Sequence, residues 1–153
     1  MTTTLSIGTA FGAVSGLLTA IGLILSSFGE HVHVKVIVII LLSLSFSNSL
    51  ADAMGIYYTS YLVDHNYKKA IMEALKTLAV NAIIPFVCAI IFILTHTLRF
   101  GSYVNIALGF LVFNLVNMSI FEDNRVRVAN NALFVLIIGG NYLIGSKVDR
   151  LTR

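Results

Sequence analysis

Charged residues divide the chain into five long apolar windows, and this spacing constrains the fold more than any other feature of the sequence. A helix needs about 20 mostly apolar residues to cross about 30 Å of hydrocarbon, because each residue advances it by about 1.5 Å. The windows predict five membrane-spanning helices, at residues 4–28, 35–63, 71–98, 100–121 and 126–147. The windows lack the two-residue alternation of polarity that the strands of a membrane barrel require.

The composition favours the same class of protein. Hydrophobic residues make up 58% of the chain and charged residues 11%, whereas soluble domains have about 45–50% apolar and about 25% charged residues. So few charges cannot cover a soluble globule or form a surface for nucleic acid. The single cysteine, Cys88, cannot form an internal disulfide. We therefore predict an all-α polytopic membrane protein with one domain, residues 1–153, whose surroundings are the lipid bilayer.

Helix two carries the most informative polar pattern. Asp52 lies near the middle of its window, where an ionised carboxylate costs at least about 2.5–3.5 kcal/mol on insertion scales. Polar or small residues recur with it at three- and four-residue steps, which places them on one face: Ser45, Asn48, Gly55 and Thr59. This stripe is typical of a cation or proton pathway. The alternative is a neutral Asp52 that is hydrogen-bonded to a neighbouring helix.

Two further residues are candidate metal ligands. Met54, two residues after Asp52, carries a thioether, which suits transition metals better than Mg²⁺ or Ca²⁺; its alternative role is packing. Glu73 could collect cations at the entrance of a pathway, or form a salt bridge with Lys69 or Lys76. Glu73 also begins a series at four-residue spacing in helix three, which continues with Thr77, Asn81 and Pro85.

The first connection and the rest of the chain offer weaker signals. His31 and His33 follow Glu30 and could bind a divalent ion, or be ordinary surface residues of a short loop. The chain has no nucleophile elbow, no phosphate-binding glycine loop and no paired-histidine zinc helix. We therefore do not expect an enzyme.

Small and amide residues in the other helices predict packing. Gly8, Gly12 and Gly16, with Ser15 and Thr19 nearby, recur every four positions, which lets two helix backbones approach closely in lipid. That contact lies either within the bundle or across a dimer axis. Asparagines of helices four and five are expected to form hydrogen bonds between helices: Asn105, Asn114, Asn117, Asn130, Asn131 and Asn141.

The order of several short motifs resembles the vacuolar iron transporter family over most of the chain. The family has a glycine-rich first helix, an Ala-Asp-Ala segment followed by Met, an Ile-Pro step, and a closing Gly-Gly…Tyr-Leu-Ile-Gly. The matching segments here are Phe-Gly-Ala-Val-Ser-Gly-Leu at 11–17, Leu-Ala-Asp-Ala-Met-Gly at 50–55, Ala-Ile-Ile-Pro at 82–85 and Ile-Gly-Gly-Asn-Tyr-Leu-Ile-Gly at 138–145.

The resemblance implies a homodimer in a vacuolar or other intracellular membrane that carries Fe²⁺ or Mn²⁺ in exchange for protons. It implies a pathway lined by the first two helices and no resident cofactor. Asp52 and Met54 are the residues that match the family's site. Alignment on residues 51–53 and alignment on residues 54–55 place the family's methionine and acid at different positions here.

Two differences from the family leave a second function open. The chain has no acid before Glu30, whereas the family has an aspartate near the start of helix one. Many members of the family insert a glutamate-rich metal-binding region between helices two and three, whereas here residues 64–69 alone connect these helices, as in the shorter nodulin-like branch. We therefore expect a proton-coupled iron or manganese transporter in which protonation of Asp52 releases the metal, Met54 favours Fe²⁺ or Mn²⁺, and Glu73 collects ions. The alternative is a structural or regulatory membrane protein that does not transport.

Overall fold

The apolar windows form five α-helices, as the sequence predicts. The structure is a computed structural model that describes residues 5–27 and 32–151, with the backbone alone for 148–151. The helices are α1 (Ile7–Ser26), α2 (Val34–Asp64), α3 (Tyr67–Thr95), α4 (Leu98–Ile120) and α5 (Asn124–Leu151). Each is long and apolar enough to span a membrane. The fold is an all-α polytopic bundle.

Local capping, more than charge, sets where the helices begin and end. α3 begins at Tyr67, earlier than the predicted residue 71, because the side chain of Asn66 accepts a hydrogen bond of 3.1 Å from the Lys69 N–H. α2 and α3 are each followed by a C-cap histidine, His65 and His96, whose φ angles of 50° and 53° are left-handed and stop the helix. The charged window edges therefore give the number of helices but not their bounds.

α1 occupies the centre of the bundle and packs against each of the other four helices. Its three spaced glycines face α3, each opposite a residue 65 positions later: Glu73, Thr77 and Asn81. A Cβ at Gly8 would lie 2.1 Å from the carbonyl oxygen of Glu73, and one at Gly12 would lie 2.8 Å from that of Thr77. The glycine stripe is therefore an α1–α3 contact within one chain.

Two apolar clusters fill the bundle on either side of α1. The first, which we call the apolar plug, lies between α1, α2 and α3 and consists of Ala20, Ile24, Ile37, Leu41, Cys88, Ala89 and Phe92. The second lies between α1, α4 and α5 and includes Phe113 and Phe134, whose stacked rings are 4.1 Å apart. The plug closes the three-helix interface on the side of the connection between α1 and α2.

The asparagines of α4 and α5 form hydrogen bonds between the two helices, as predicted. Asn117 donates to the Arg127 carbonyl at 3.0 Å and to the Asn131 side chain at 3.2 Å. Asn130 donates to Asn117 at 3.2 Å, and Asn131 donates to Asn114 at 3.0 Å. Hydrogen bonds between polar side chains stabilise the association of helices in lipid, so these amides hold α5 against α4.

The other two asparagines behave differently from each other. Asn105 of α4 donates to the Cys88 carbonyl of α3 at 3.3 Å and so joins those helices. Asn141 of α5 makes no side-chain hydrogen bond with the described residues; its amide nitrogen would lie 3.3 Å from a Cβ placed on Gly22 of α1. Asn141 therefore packs against α1, and the prediction of a bond between helices is wrong for this residue.

Candidate functional site

A polar cluster lies in the middle of the bundle, where α1, α2 and α3 meet. One carboxylate oxygen of Asp52, Oδ2, accepts hydrogen bonds from the Ser15 hydroxyl, from Asn81 Nδ2 at 2.5 Å and from Asn48 Nδ2 at 3.4 Å. Asn48 Nδ2 also lies 3.3 Å from the Thr19 hydroxyl. We call these five residues the Asp52 cluster.

Helical spacing explains why these side chains meet. Ser15 and Thr19 are four residues apart on α1, as are Asn48 and Asp52 on α2, so each pair shares one helix face. The third helix comes close because of Gly16, where a Cβ would lie 3.1 Å from the side-chain oxygen of Asn81. The glycine stripe and the polar cluster therefore depend on the same close contact of α1 with α3.

The two oxygens of the Asp52 carboxylate have different surroundings. Oδ2 accepts all three bonds, and none of the bonds among the described residues ends on Oδ1. Hydrogen bonds that converge on a carboxylate stabilise its charge and are stronger than neutral ones. The side-chain oxygen of Asn81 is buried and also lacks a partner among the described residues. The cluster thus offers two oxygens to a cation.

These oxygens make a sparse metal site. In the described part of the chain, no group of three or more His, Cys, Asp or Glu residues lies together. An ion beside Asp52 would therefore be held by one carboxylate, neutral oxygens of amide and hydroxyl groups, and water. Hard and borderline divalent cations accept such ligands.

The stripe predicted on α2 divides into a half-buried part and an exposed part. Ser45 is half-buried, and its hydroxyl donates to the Ala82 carbonyl of α3 at 2.7 Å. Gly55 and Thr59 are exposed; no atom lies within 4 Å of a Cβ placed at Gly55, and the Thr59 hydroxyl donates to the Gly55 carbonyl at 2.8 Å. The stripe therefore runs from an open surface near the α2–α3 turn to the half-buried Asp52.

Met54 does not belong to the Asp52 cluster. A two-residue step turns a helix by about 200°, which directs Met54 and Asp52 to different sides of α2. Met54 is 51% exposed and lines an apolar groove between the outer faces of α2 and α3, together with Leu50, Tyr58 and Leu75. The sequence places the thioether close to the acid, but the helix separates them.

Glu73 lies beside the N-terminus of α1 and not beside Asp52. Its Oε2 accepts a hydrogen bond of 2.7 Å from the Gly8 N–H in the first turn of α1, and its Oε1 lies 2.8 Å from Lys76 Nζ. Lys69 pairs with Asp64 at 2.9 Å. Glu73 is therefore buried with a partner on each oxygen, about 12 Å along α3 from the Asp52 cluster.

The histidine pair of the first connection cannot be placed as a whole. His33 is the exposed residue before α2 and makes no side-chain bond that caps the helix. Glu30 and His31 lie outside the described residues. The candidate site is accordingly the Asp52 cluster.

Three members of the cluster were not among the residues that we assigned to a site from sequence. Ser15 and Thr19 accompany the glycines of α1, and Asn81 belongs to the four-residue series of α3. Their four-residue spacing was the signal that could have found them. Hydroxyl and amide side chains with this spacing share one face of a helix, and where that face packs closely through glycine they contact the neighbouring helix.

Comparisons with known proteins contribute nothing to the interpretation of this site. Comparison of the chain with protein-family models, with curated proteins and with solved structures gives no match. The geometry provides one carboxylate near the middle of α2, bonded through one oxygen and unbonded at the other. An exposed strip of the same helix, Gly55 and Thr59, leads to it.

Proposed function

We propose that the protein is a proton-coupled transporter of divalent transition metals, Fe²⁺ or Mn²⁺, as its resemblance to vacuolar iron transporters implies. The observation that carries the proposal is the Asp52 carboxylate, which is half-buried in the middle of a spanning helix and has three hydrogen-bond donors on one oxygen. Intramembrane acids are rare and most often mark ion or proton pathways.

In the proposed mechanism, a cation approaches along the exposed strip at Thr59 and Gly55 and binds the unbonded Oδ1 of Asp52. The side-chain oxygen of Asn81 and water supply further ligands. Ser15 and Asn81 hold the carboxylate in place through Oδ2 while the cation binds. Protonation of Asp52 then removes the negative charge, and the cation leaves.

The resemblance also supports a homodimer in a vacuolar or other intracellular membrane, with no resident cofactor. Met54 and Glu73 have smaller roles in the proposal than the sequence suggests. Met54 lies on the outer side of α2, and both oxygens of Glu73 have protein partners. The Asp52 cluster alone contacts the ion in this mechanism.

Uptake of Mn²⁺ and Fe²⁺ into vesicles containing the purified protein, with and without a pH gradient, tests the proposal. We expect Asp52→Asn to abolish uptake, since the amide keeps the size of the side chain but loses its charge. Asp64→Asn is the matched control, because Asp64 is an exposed acid of the same helix that pairs with Lys69 at the turn. Full uptake by Asp52→Asn would exclude the role.

A second candidate is a structural or regulatory membrane protein on the same scaffold. The observation that favours it is that Asp52 already has three protein partners from three helices, and that the described residues contain no group of three or more potential acid, histidine or cysteine ligands. A ligand that binds only the folded state raises its stability. Thermal unfolding with Fe²⁺, Mn²⁺, Co²⁺ or Zn²⁺ therefore separates the two: a rise in Tm that Asp52→Asn removes supports the transporter, and no rise supports the scaffold.

A further inference from the structure

Three buried side-chain atoms in the described part of the chain lack a hydrogen-bond partner. They are Asn81 Oδ1 on α3, and Ser102 Oγ and Asn105 Oδ1 on α4, a helix that packs against both α1 and α3. Ser102 is 0% exposed and Asn105 1% exposed. Buried polar groups in folded proteins almost always have a partner, either protein or ordered water.

Ser102 and Asn105 lie on α4 at the level of the apolar plug. Past the Asp52 cluster, the interface of α1, α2 and α3 is closed by the plug, whose members Cys88 and Phe92 belong to α3. Asn105 meets α3 at the Cys88 carbonyl. Ser102 lies three residues before Asn105 on α4, on the same face, about 4.5 Å along the axis toward the turn that joins α3 and α4.

Polar atoms also lie between the Asp52 cluster and Asn105. Pro85 has no N–H, so the Asn81 carbonyl lacks its usual helical donor. Beyond Pro85, a cleft of about 210 Å³ between α3 and α4, partly open to the outer surface of the bundle, is lined by Cys88 and Asn105 among aliphatic side chains. Asn81 and Cys88 are about 10 Å apart along α3, a distance that a few water molecules can span.

We propose that Ser102 and Asn105 bind water, and that this water continues the route from Asp52 around the apolar plug to the membrane face at the α3–α4 turn. One water can accept a hydrogen bond from the Ser102 hydroxyl and donate one to the Asn105 side-chain oxygen. Both atoms are buried and unbonded, and unsatisfied buried polar groups are where internal water molecules are found. The route rests on the proposed function, whereas the binding of water does not.

The competing arrangement involves no water. The hydroxyl of Ser119, also on α4, donates to the Leu115 carbonyl of its own helix at 2.8 Å. Ser102 would do the same with a carbonyl of its own helix if its side chain rotated. Asn105 would then keep only its bond to Cys88, and the α3–α4 interface would be dry.

The single cysteine of the chain provides the test, because Cys88 lines the same cleft as Asn105. The infrared S–H stretching band of the protein in bilayers is followed after transfer to D₂O; Cys88→Ser removes the band and so assigns it. Wild type and Ser119→Ala should exchange S–H for S–D rapidly. The Ser102→Ala/Asn105→Leu variant should exchange more slowly, by a factor of up to about ten. The loss of one hydrogen bond to the water accounts for about that factor.

Ser102→Ala alone, which removes one oxygen atom, should slow exchange in the same direction, so the result does not depend on how well Asn105→Leu folds. A wild-type band that exchanges as slowly as that of the variants overturns the water site. Metal uptake into vesicles tests the route separately. Reduced uptake by Ser102→Ala supports the route, and unchanged uptake together with slowed exchange overturns it. Rapid exchange in a wild type that takes up no metal upholds the water site and contradicts the proposed function.

Discussion

Asn81 of α3 donates a hydrogen bond of 2.5 Å to the carboxylate of Asp52 on α2, and the same oxygen accepts from Ser15 of α1. A single atom thus joins three spanning helices. In lipid, where apolar surfaces gain little by leaving the hydrocarbon, such bonds and close backbone contacts are the main forces between helices. The acid that we propose to bind the cation therefore also holds the bundle together.

The Asp52–Asn81 pair should show a measurable coupling energy. Hydrogen bonds between helices in a membrane average about 0.6 kcal/mol, and bonds to charged groups reach about 1.5–3 kcal/mol. A double-mutant cycle of Asp52→Ala and Asn81→Ala, followed by unfolding in detergent, should give a coupling of about 1 kcal/mol. The control cycle pairs Asp52→Ala with Thr59→Ala, whose hydroxyl bonds only its own helix, and should give no coupling. Equal values in the two cycles would contradict the assignment.

Two glycine-to-alanine changes should differ in their effects on stability. A Cβ at Gly12 would lie 2.8 Å from a backbone oxygen of α3, so Gly12→Ala must push α1 and α3 apart and should cost about 1–3 kcal/mol. Gly55 has open space around it, and alanine is favoured over glycine in a helix by about 1 kcal/mol. Thermal unfolding followed by circular dichroism should therefore show a lower Tm for Gly12→Ala and an equal or higher Tm for Gly55→Ala.

The number of helices could be predicted because each crossing of the bilayer needs about 20 apolar residues, and charged residues separate the windows from one another. The stripe on α2 could also be predicted, because helical periodicity places Asn48 and Asp52 on one face. Periodicity cannot tell which neighbouring helix a face meets, so Asn81 was not assigned to the site. Proximity in sequence suggested Met54, although a two-residue step on a helix separates side chains. Ser102 gave no signal, because a lone serine in an apolar window is common.

The position of Met54 predicts that it has little influence on metal binding by the Asp52 cluster. Met54 is exposed on the outer side of α2, in the groove beside Leu50 and Leu75. We expect Met54→Leu, which conserves volume and costs less than about 1.5 kcal/mol even in a core, to leave the ratio of Mn²⁺ to Mg²⁺ uptake unchanged. A loss of preference for Mn²⁺ would show that the thioether reaches the ion, for example from a second copy of the chain.

Glu73 should act as a cap for α1 and not as an ion collector. The Gly8 N–H is one of the first amides of α1, which have no acceptor within the helix, and Glu73 Oε2 supplies one at 2.7 Å. Glu73→Gln keeps an oxygen for Gly8 and loses only the pairing with Lys76, whose side chain is 38% exposed, so it should cost no more than about 1 kcal/mol. Glu73→Leu leaves a buried amide without a partner and should cost about 1–3 kcal/mol.

The two roles of Glu73 separate in transport measurements, because an ion collector acts through its charge, whereas a cap needs only an acceptor oxygen. Uptake by Glu73→Gln should show the wild-type KM for Mn²⁺, and Glu73→Leu should lose uptake only to the extent that it loses folded protein, as measured by its Tm. A KM that rises severalfold in Glu73→Gln, with an unchanged Tm, would instead place the carboxylate at the entrance of the pathway, because only the missing charge distinguishes that variant from the wild type.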